Sequence, residues 1–191
     1  GQIDKTKGYK FLDQELQKIV PRARSQKRRL DKLASVCLQN GAELWVLIHL
    51  EVQTYRDKKF AQRMFSYYYR IWDKYQRKIA SLAILADNSR KFKPKSFELS
   101  LFGKRYVHFE FEIAKLRDWE NREQELQQTS NIFGLVTLAS LKAFEQDMTT
   151  RAQWKLLLTT ILYDRGYSEE AVLELYRFLD GIMVLPDNLE I

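Results

Sequence analysis

Two short, mostly apolar stretches near the start of the chain give way to helical spacing on either side. Leu33-Ala34-Ser35-Val36-Cys37-Leu38 is followed by Gln39-Asn40-Gly41 and then by an apolar run over 44–50. Two such runs joined by a turn with Asn-Gly predict a pair of hairpin strands. Asp31 precedes the first strand, and Glu51-Val52-Gln53 ends the second. Side chains alternate along a strand, so Glu51 and Gln53 share a face, and a hairpin can bring Asp31 beside them. Upstream, Phe11, Leu12, Leu16 and Ile19 fall at helical spacing and Pro21 closes the segment, which predicts the first helix of the core. Downstream, Asp57 reads as the N-cap of a helix reaching about Tyr75, with Phe60, Met64, Tyr67, Tyr68, Ile71, Trp72 and Tyr75 as its inward stripe.

The unbroken apolar run 79–86 predicts a central strand buried on both faces. Phe97, Leu99 and Leu101, then Val107, Phe109, Phe111 and Ile113, alternate around Gly103 and predict another hairpin, whose opposite face carries Glu98, His108, Glu110 and Glu112. The remainder is helical in pattern over 131–144, 151–164 and 169–183, with Ser130 and Ser168 as caps and Gly166 as a stop.

These elements make an α/β chain with one substantial core. At 191 residues, 45% hydrophobic with seven Gly and three Pro, it falls in the globular class and not the disordered one. Its apolar runs are too short to cross a bilayer as helices, no signal peptide opens the chain, and the lone Cys37 cannot pair internally, so a cytoplasmic protein with no membrane association is expected. With 32 basic and 25 acidic side chains the formal charge is +7, which favours a polyanionic partner. Neither an internal repeat nor a Gly-rich phosphate loop, CxxC pair or nucleophile elbow occurs, which argues against kinases, zinc sites of that type and α/β-hydrolases.

Asp31 and Glu51 are the candidate chemistry. Two hard oxygen ligands a few ångströms apart, with positions left for water and phosphate, suit Mg²⁺ or Mn²⁺. Around them lies a basic stretch holding Arg22, Arg24, Lys27, Arg28, Arg29 and Lys32, readable either as a solvated face or as a set of phosphate contacts. Lys59, Arg63, Ser66 and Arg70 fall in one row of the following helix, where arginine suits bidentate phosphate binding. His49 shares a strand face with Glu51 and reads as an orienting group or as a core histidine. His108 and Glu110 are two apart on a strand, a spacing compatible with a metal but more simply with a solvated sheet face.

Leu30-Asp31-Lys32-Leu33, the run from Trp45 to Gln53, Phe60 through Arg70 (FAQRMFSYYYR), Ser81-Leu82-Ala83-Ile84-Leu85, Ser130-Asn131-Ile132-Phe133 and Leu162-Tyr163-Asp164-Arg165-Gly166-Tyr167-Ser168 together resemble the Rpn family of recombination-promoting nucleases and transposase-related proteins. That family lies within the PD-(D/E)XK nuclease superfamily, and the similarity extends over nearly all the chain. The resemblance implies an αβββαβ nuclease core with a mixed sheet, an extra β-hairpin and C-terminal helices, divalent-metal-dependent DNA cleavage and a link to recombination or transposition. It implies Asp31, Glu51 and the Val52 main-chain carbonyl as metal ligands, with Gln53 where the superfamily signature ends in Lys. Gln53 can position an attacking water through its amide but brings no charge. Arg28, Arg29, Lys59, Arg63 and Arg70 become the expected DNA contacts, and Glu15, on the first helix, reads as a further carboxylate or as a surface acid. Family members carry a segment ahead of the stretch like Gly8-Tyr9-Lys10-Phe11-Leu12, so an N-terminal piece is expected to be missing. The expected division is a nuclease-like core over 1–128 and a helical region over 129–191 that braces the sheet, forms a homodimer surface or recruits DNA. The alternative is a nuclease-derived fold that holds DNA or a protein partner without cutting.

Overall fold

Nine residues of β2 (Arg29–Cys37) pair antiparallel with nine of β3 (Glu43–Glu51). The turn between them uses Gly41 at φ +82°, a conformation that L side chains rarely adopt, and closes with a bond from the Gly41 N–H to the Leu38 carbonyl at 2.8 Å. In this computed structural model, which describes residues 2–18, 29–51 and 57–185, the chain forms two compact units, Gly1–Lys115 and Leu116–Ile191. The expected boundary at 128/129 differs because residues 116–128 belong with the helices: Leu126 and Trp119 pack in the helical core.

The first unit is mixed α/β. Its element order is β1 (Tyr9–Phe11), α1 (Asp13–Gln17), β2, β3, α2 (Phe60–Tyr75), β4 (Ile79–Leu85), β5 (Ser96–Leu101), β6 (Lys104–Glu110) and β7 (Glu112–Lys115). A five-stranded sheet runs β1-β2-β3-β4-β7, antiparallel through β3 and parallel from β3 to β4 to β7, while β5 and β6 form a separate hairpin. The first helix therefore lies between β1 and β2, a βαββαβ order where αβββαβ was expected. Phe11 is the reason. It matches helical spacing, yet Tyr9-Lys10-Phe11 pairs as an edge strand with Val36, Ser35 and Ala34, and the helix begins only at Asp13.

Both helices cover one face of the sheet. Leu12, just ahead of α1, Leu16 of α1 and Ile71 of α2 close over Leu33, Trp45 and Leu47, and Phe60 and Met64 close over Ala83 and Leu85. The second face of β4 is not sealed in the same way, contrary to the expectation for 79–86: Leu82 and Ile84 are half-buried, as are Val46 and Ile48 beside them. Because α1 and α2 share a side, period-two alternation leaves these residues facing away from both helices.

The hairpin packs on α2 as part of the cluster that holds Phe60 and Met64. Phe97 and Phe109 stack around Phe65 at 5.1 and 5.7 Å, and Tyr68 lies 4.8 Å from Phe109. Its tip, Phe102-Gly103, holds φ of +52° and +73°, the positive pair that matches a two-residue turn to strand twist. The predicted second arm is split: β6 ends at Glu110, and Glu112–Lys115 leaves the hairpin to pair with β4.

In the second unit, α3 (Glu123–Gln128), α4 (Ile132–Lys142), α5 (Met148–Asp164) and α6 (Glu169–Ile182) follow a 3₁₀ turn at Leu116–Trp119. Leu135, Leu138, Leu158, Leu162, Val172 and Leu179 form its centre. Ser168 caps α6 as expected, but α4 is capped by the Asn131 side chain and not by Ser130. Asp147 accepts from Thr150 N–H at 2.8 Å and starts α5 three residues ahead of the expected 151. No helix among the described residues is long and apolar enough to cross a membrane.

Candidate two-acid site on the β2–β3 ladder

The ladder sets Asp31 opposite His49 and Arg29 opposite Glu51. Asp31 and Glu51 are thus diagonal neighbours, and strand parity puts them on the same face as the paired Leu33 and Leu47. Leu33 and Leu47 are fully closed to solvent, so that face changes from sealed hydrocarbon to ionisable residues within one step of the ladder. Asp31 lies inside β2, not ahead of it, because the strand begins at Arg29. Glu51 is the last residue of β3 and pairs with Leu85, the last of β4. The site therefore lies at the carboxyl end of a parallel pair, where open sheets leave room for ligands.

Diagonal partners in an antiparallel pair lie about 7–8 Å apart, and an aspartate and a glutamate can together close that gap onto one ion with ligand distances of about 2.1 Å. Val52, Gln53 and Arg28 lie outside the described residues, and Arg29 enters here only through its place opposite Glu51.

α2 begins beyond this end of β3. Asp57 starts it by accepting from the Lys59 N–H at 2.8 Å and through its carbonyl from the Phe60 N–H at 3.1 Å. The Asp57 carboxylate also ion-pairs with Arg63, whose guanidinium lies 5.3 Å from the centre of the Phe60 ring and whose side chain is only 13% exposed. A phosphate approaching Arg63 would have to compete with a carboxylate already in place. Lys59 and Arg70 are exposed and open to a polyanion. Ser66, in the same row, returns its hydroxyl to the Gln62 carbonyl at 2.9 Å.

Glu15 is placed elsewhere along the sheet. Its carbonyl accepts from the Tyr75 hydroxyl at 3.3 Å, and Tyr75 packs 5.1 Å from Trp45. Tyr75 ends α2, so this contact is about 24 Å of helix away from the turn at Asp57, at 1.5 Å per residue. The other acid of α1, Asp13, pairs with Lys32 at 2.9 Å.

On the β5–β6 hairpin, His108 Nδ1 lies 2.7 Å from Glu98 and its Nε2 lies 2.9 Å from Glu110, while Arg105 also reaches Glu98 at 3.1 Å. Hydrogen bonds to Glu110 and Glu98 raise the His108 pKa above its ordinary 6.5. Those from His108 and Arg105 lower that of Glu98. With both ring nitrogens held by carboxylates, this is an ion-paired sheet face. Among the described residues no group of three or more His, Cys, Asp or Glu side chains is placed to hold an ion.

Two features were not foreseen. Asp57 is a partner of Arg63 as well as a cap, and Asp87 and Lys115 form a buried ion pair at the ends of β4 and β7. The available signal for the second was an acid and a lysine each closing an apolar strand. Comparison of the chain with protein-family models, curated proteins and solved structures returned no match.

Proposed function

We propose that the chain is a Mg²⁺- or Mn²⁺-dependent DNA endonuclease of the PD-(D/E)XK type, acting in DNA recombination or transposition. The observation that carries this reading is the β2–β3 register, which makes Asp31 and Glu51 diagonal neighbours at the end of an otherwise sealed apolar face. The residues that would hold the cation are Asp31, Glu51 and the Val52 carbonyl. A bound divalent cation supplies Lewis acidity toward a phosphodiester and lowers the pKa of a ligated water. Gln53 would orient the attacking water through its amide, His49, opposite Asp31 on the ladder, would support the acids, and Lys59 and Arg70 would hold the DNA backbone together with Arg28 and Arg29. The formal charge of +7 favours this partner.

Nicking of supercoiled plasmid in Mg²⁺ or Mn²⁺ tests the reading, with Gln53→Lys and Gln53→Ala beside the native chain. Gln53→Lys should retain or increase cleavage, because an ammonium adds stabilisation of developing charge, and Gln53→Ala should impair it. Binding of DNA with no cleavage in either metal would instead favour a nuclease-derived binding module.

A further inference from the structure

Asp87 and Lys115 interrupt an apolar face. Leu33, Leu47, Ala83 and Leu85 are fully closed to solvent on the side of the sheet that α1 and α2 cover. The Leu85–Lys115 rung puts Lys115 on that face by strand parity, and Asp87, buried in the bend two residues past the end of β4, lies against it. Lys115 ion-pairs with the Asp87 carboxylate and also donates to the Asp87 main-chain carbonyl at 3.3 Å. The two side chains are only 1% and 4% exposed.

A buried ion pair is weak as a source of stability. Desolvation of both charges offsets their attraction, and well-packed hydrophobic residues of similar volume often serve as well or better. Its position suggests another use. The ladder places Arg29, Glu51, Leu85 and Lys115 in one row across four strands. Glu51–Leu85 and Leu85–Lys115 are the last rungs of these ladders among the described residues, and β4 itself ends at Leu85. Lys115 grips the chain just past that point by both side chain and main chain.

We propose that Lys115 is a positioning residue: by holding Asp87 it fixes the carboxyl end of β4, the strand against which Glu51 is laddered, and so sets Glu51 for a divalent cation. This rests on the reading of Glu51 as a metal ligand. Lys115 itself is closed to substrate and acts only through Asp87 and β4.

Mn²⁺ binding to the full chain without DNA, measured by calorimetry alongside the melting temperature, provides the test. The double variant Lys115→Met/Asp87→Leu removes the pair and keeps the site filled; it should melt within a few degrees of the native chain yet bind Mn²⁺ at least about tenfold more weakly, a loss of about 1.4 kcal/mol. A structural staple would move the melting temperature and leave the affinity alone. Native affinity in the double variant, with Glu51→Gln abolishing binding, overturns the role of Lys115. Native affinity in Glu51→Gln overturns the metal reading beneath it. Should the double variant not fold, Asp87→Asn, which keeps the carbonyl contact and drops the ion pair, decides by the same comparison, with a loss of about threefold or more expected.

Discussion

Leu33 of β2 stands directly opposite Leu47 of β3, and both are fully closed to solvent. This pair settles the location of the candidate site. A slip of one residue would turn every β2 position to the other face and separate Asp31 from the face of Glu51, so burial of two leucines specifies the proximity of two acids. The packing that stabilises the fold and the geometry that would hold a cation are one relationship.

Truncating either leucine should therefore be expensive. Leu33→Ala or Leu47→Ala removes a buried side chain from a site with helices on one side and neighbouring strands on the other, and should cost about 2–5 kcal/mol. Urea unfolding checks this, with the midpoint moving down at unchanged slope.

The two acids should behave in the opposite way. Asp31→Ala and Glu51→Ala should abolish metal-dependent nicking and leave the melting temperature unchanged or slightly raised, because two close carboxylates repel without an ion between them. Plasmid nicking and thermal melts on the same preparations report both quantities. Native cutting by Glu51→Ala would remove the site from consideration.

Charge on α2 divides into two kinds. Lys59 and Arg70 are exposed, so neutralising both should flatten the dependence of log affinity on log salt by about two units if each touches a phosphate. Arg63, paired with Asp57, should act differently: Arg63→Ala removes this largely buried ion pair and the packing of the guanidinium on Phe60, and should lower the melting temperature more than it changes the salt slope. DNA binding in Ca²⁺ at several salt concentrations separates the two effects from cleavage.

His108 gives the hairpin a pH dependence of known sign. Its folded pKa lies above the ordinary 6.5, so the stabilisation by its charged form is fully present below 6.5 and is lost as pH rises through the raised folded value. Glu98 works from the other side. Its folded pKa lies below the ordinary 4.5, so its contribution is present above 4.5 and is lost as pH falls through the lowered value. The contacts are therefore strongest between about 4.5 and 6.5. Protection factors at the β5 and β6 amides, with the intrinsic pH dependence of exchange divided out, should be higher in that window than at pH 8 in the native chain, and His108→Ala should erase the difference.

Much of this architecture is local and could be read from local pattern. Asn40-Gly41 between two apolar runs marked the β2–β3 turn, Gly103 marked the hairpin tip, and aromatic spacing marked α2. What escaped depends on contacts distant in sequence. Phe11 fits a helix stripe and an edge strand equally well, and only pairing with Ala34 decides between them. Ile113 continues the alternation of Phe109 and Phe111, so nothing local shows that it leaves the hairpin to pair with Ala83. The diagonal of Asp31 and Glu51 was legible because a tight turn fixes register. The Arg63–Asp57 pair and the Asp87–Lys115 pair were not, since spacing on a helix or strand says nothing of a loop acid beside it.

The β5–β6 hairpin has a consequence for how the chain opens. It pairs separately from the five-stranded sheet, yet Phe97 and Phe109 cover Phe65 and Tyr68 of α2, and Phe109 shares a cluster with Phe60 and Met64 of α2 and Ala83 and Leu85 of β4. A two-stranded hairpin has little stability of its own and borrows it from the helix it grips. Its release is then the least costly excursion from the native state, one that wets Phe65 and Tyr68 and opens one side of the cluster around Phe60 and Met64, while Ile71 stays closed with Leu33, Trp45 and Leu47. Hydrogen exchange should resolve this as two tiers, with the amides of 96–110 exchanging through partial release and those of β2, β3 and β4 only through global unfolding.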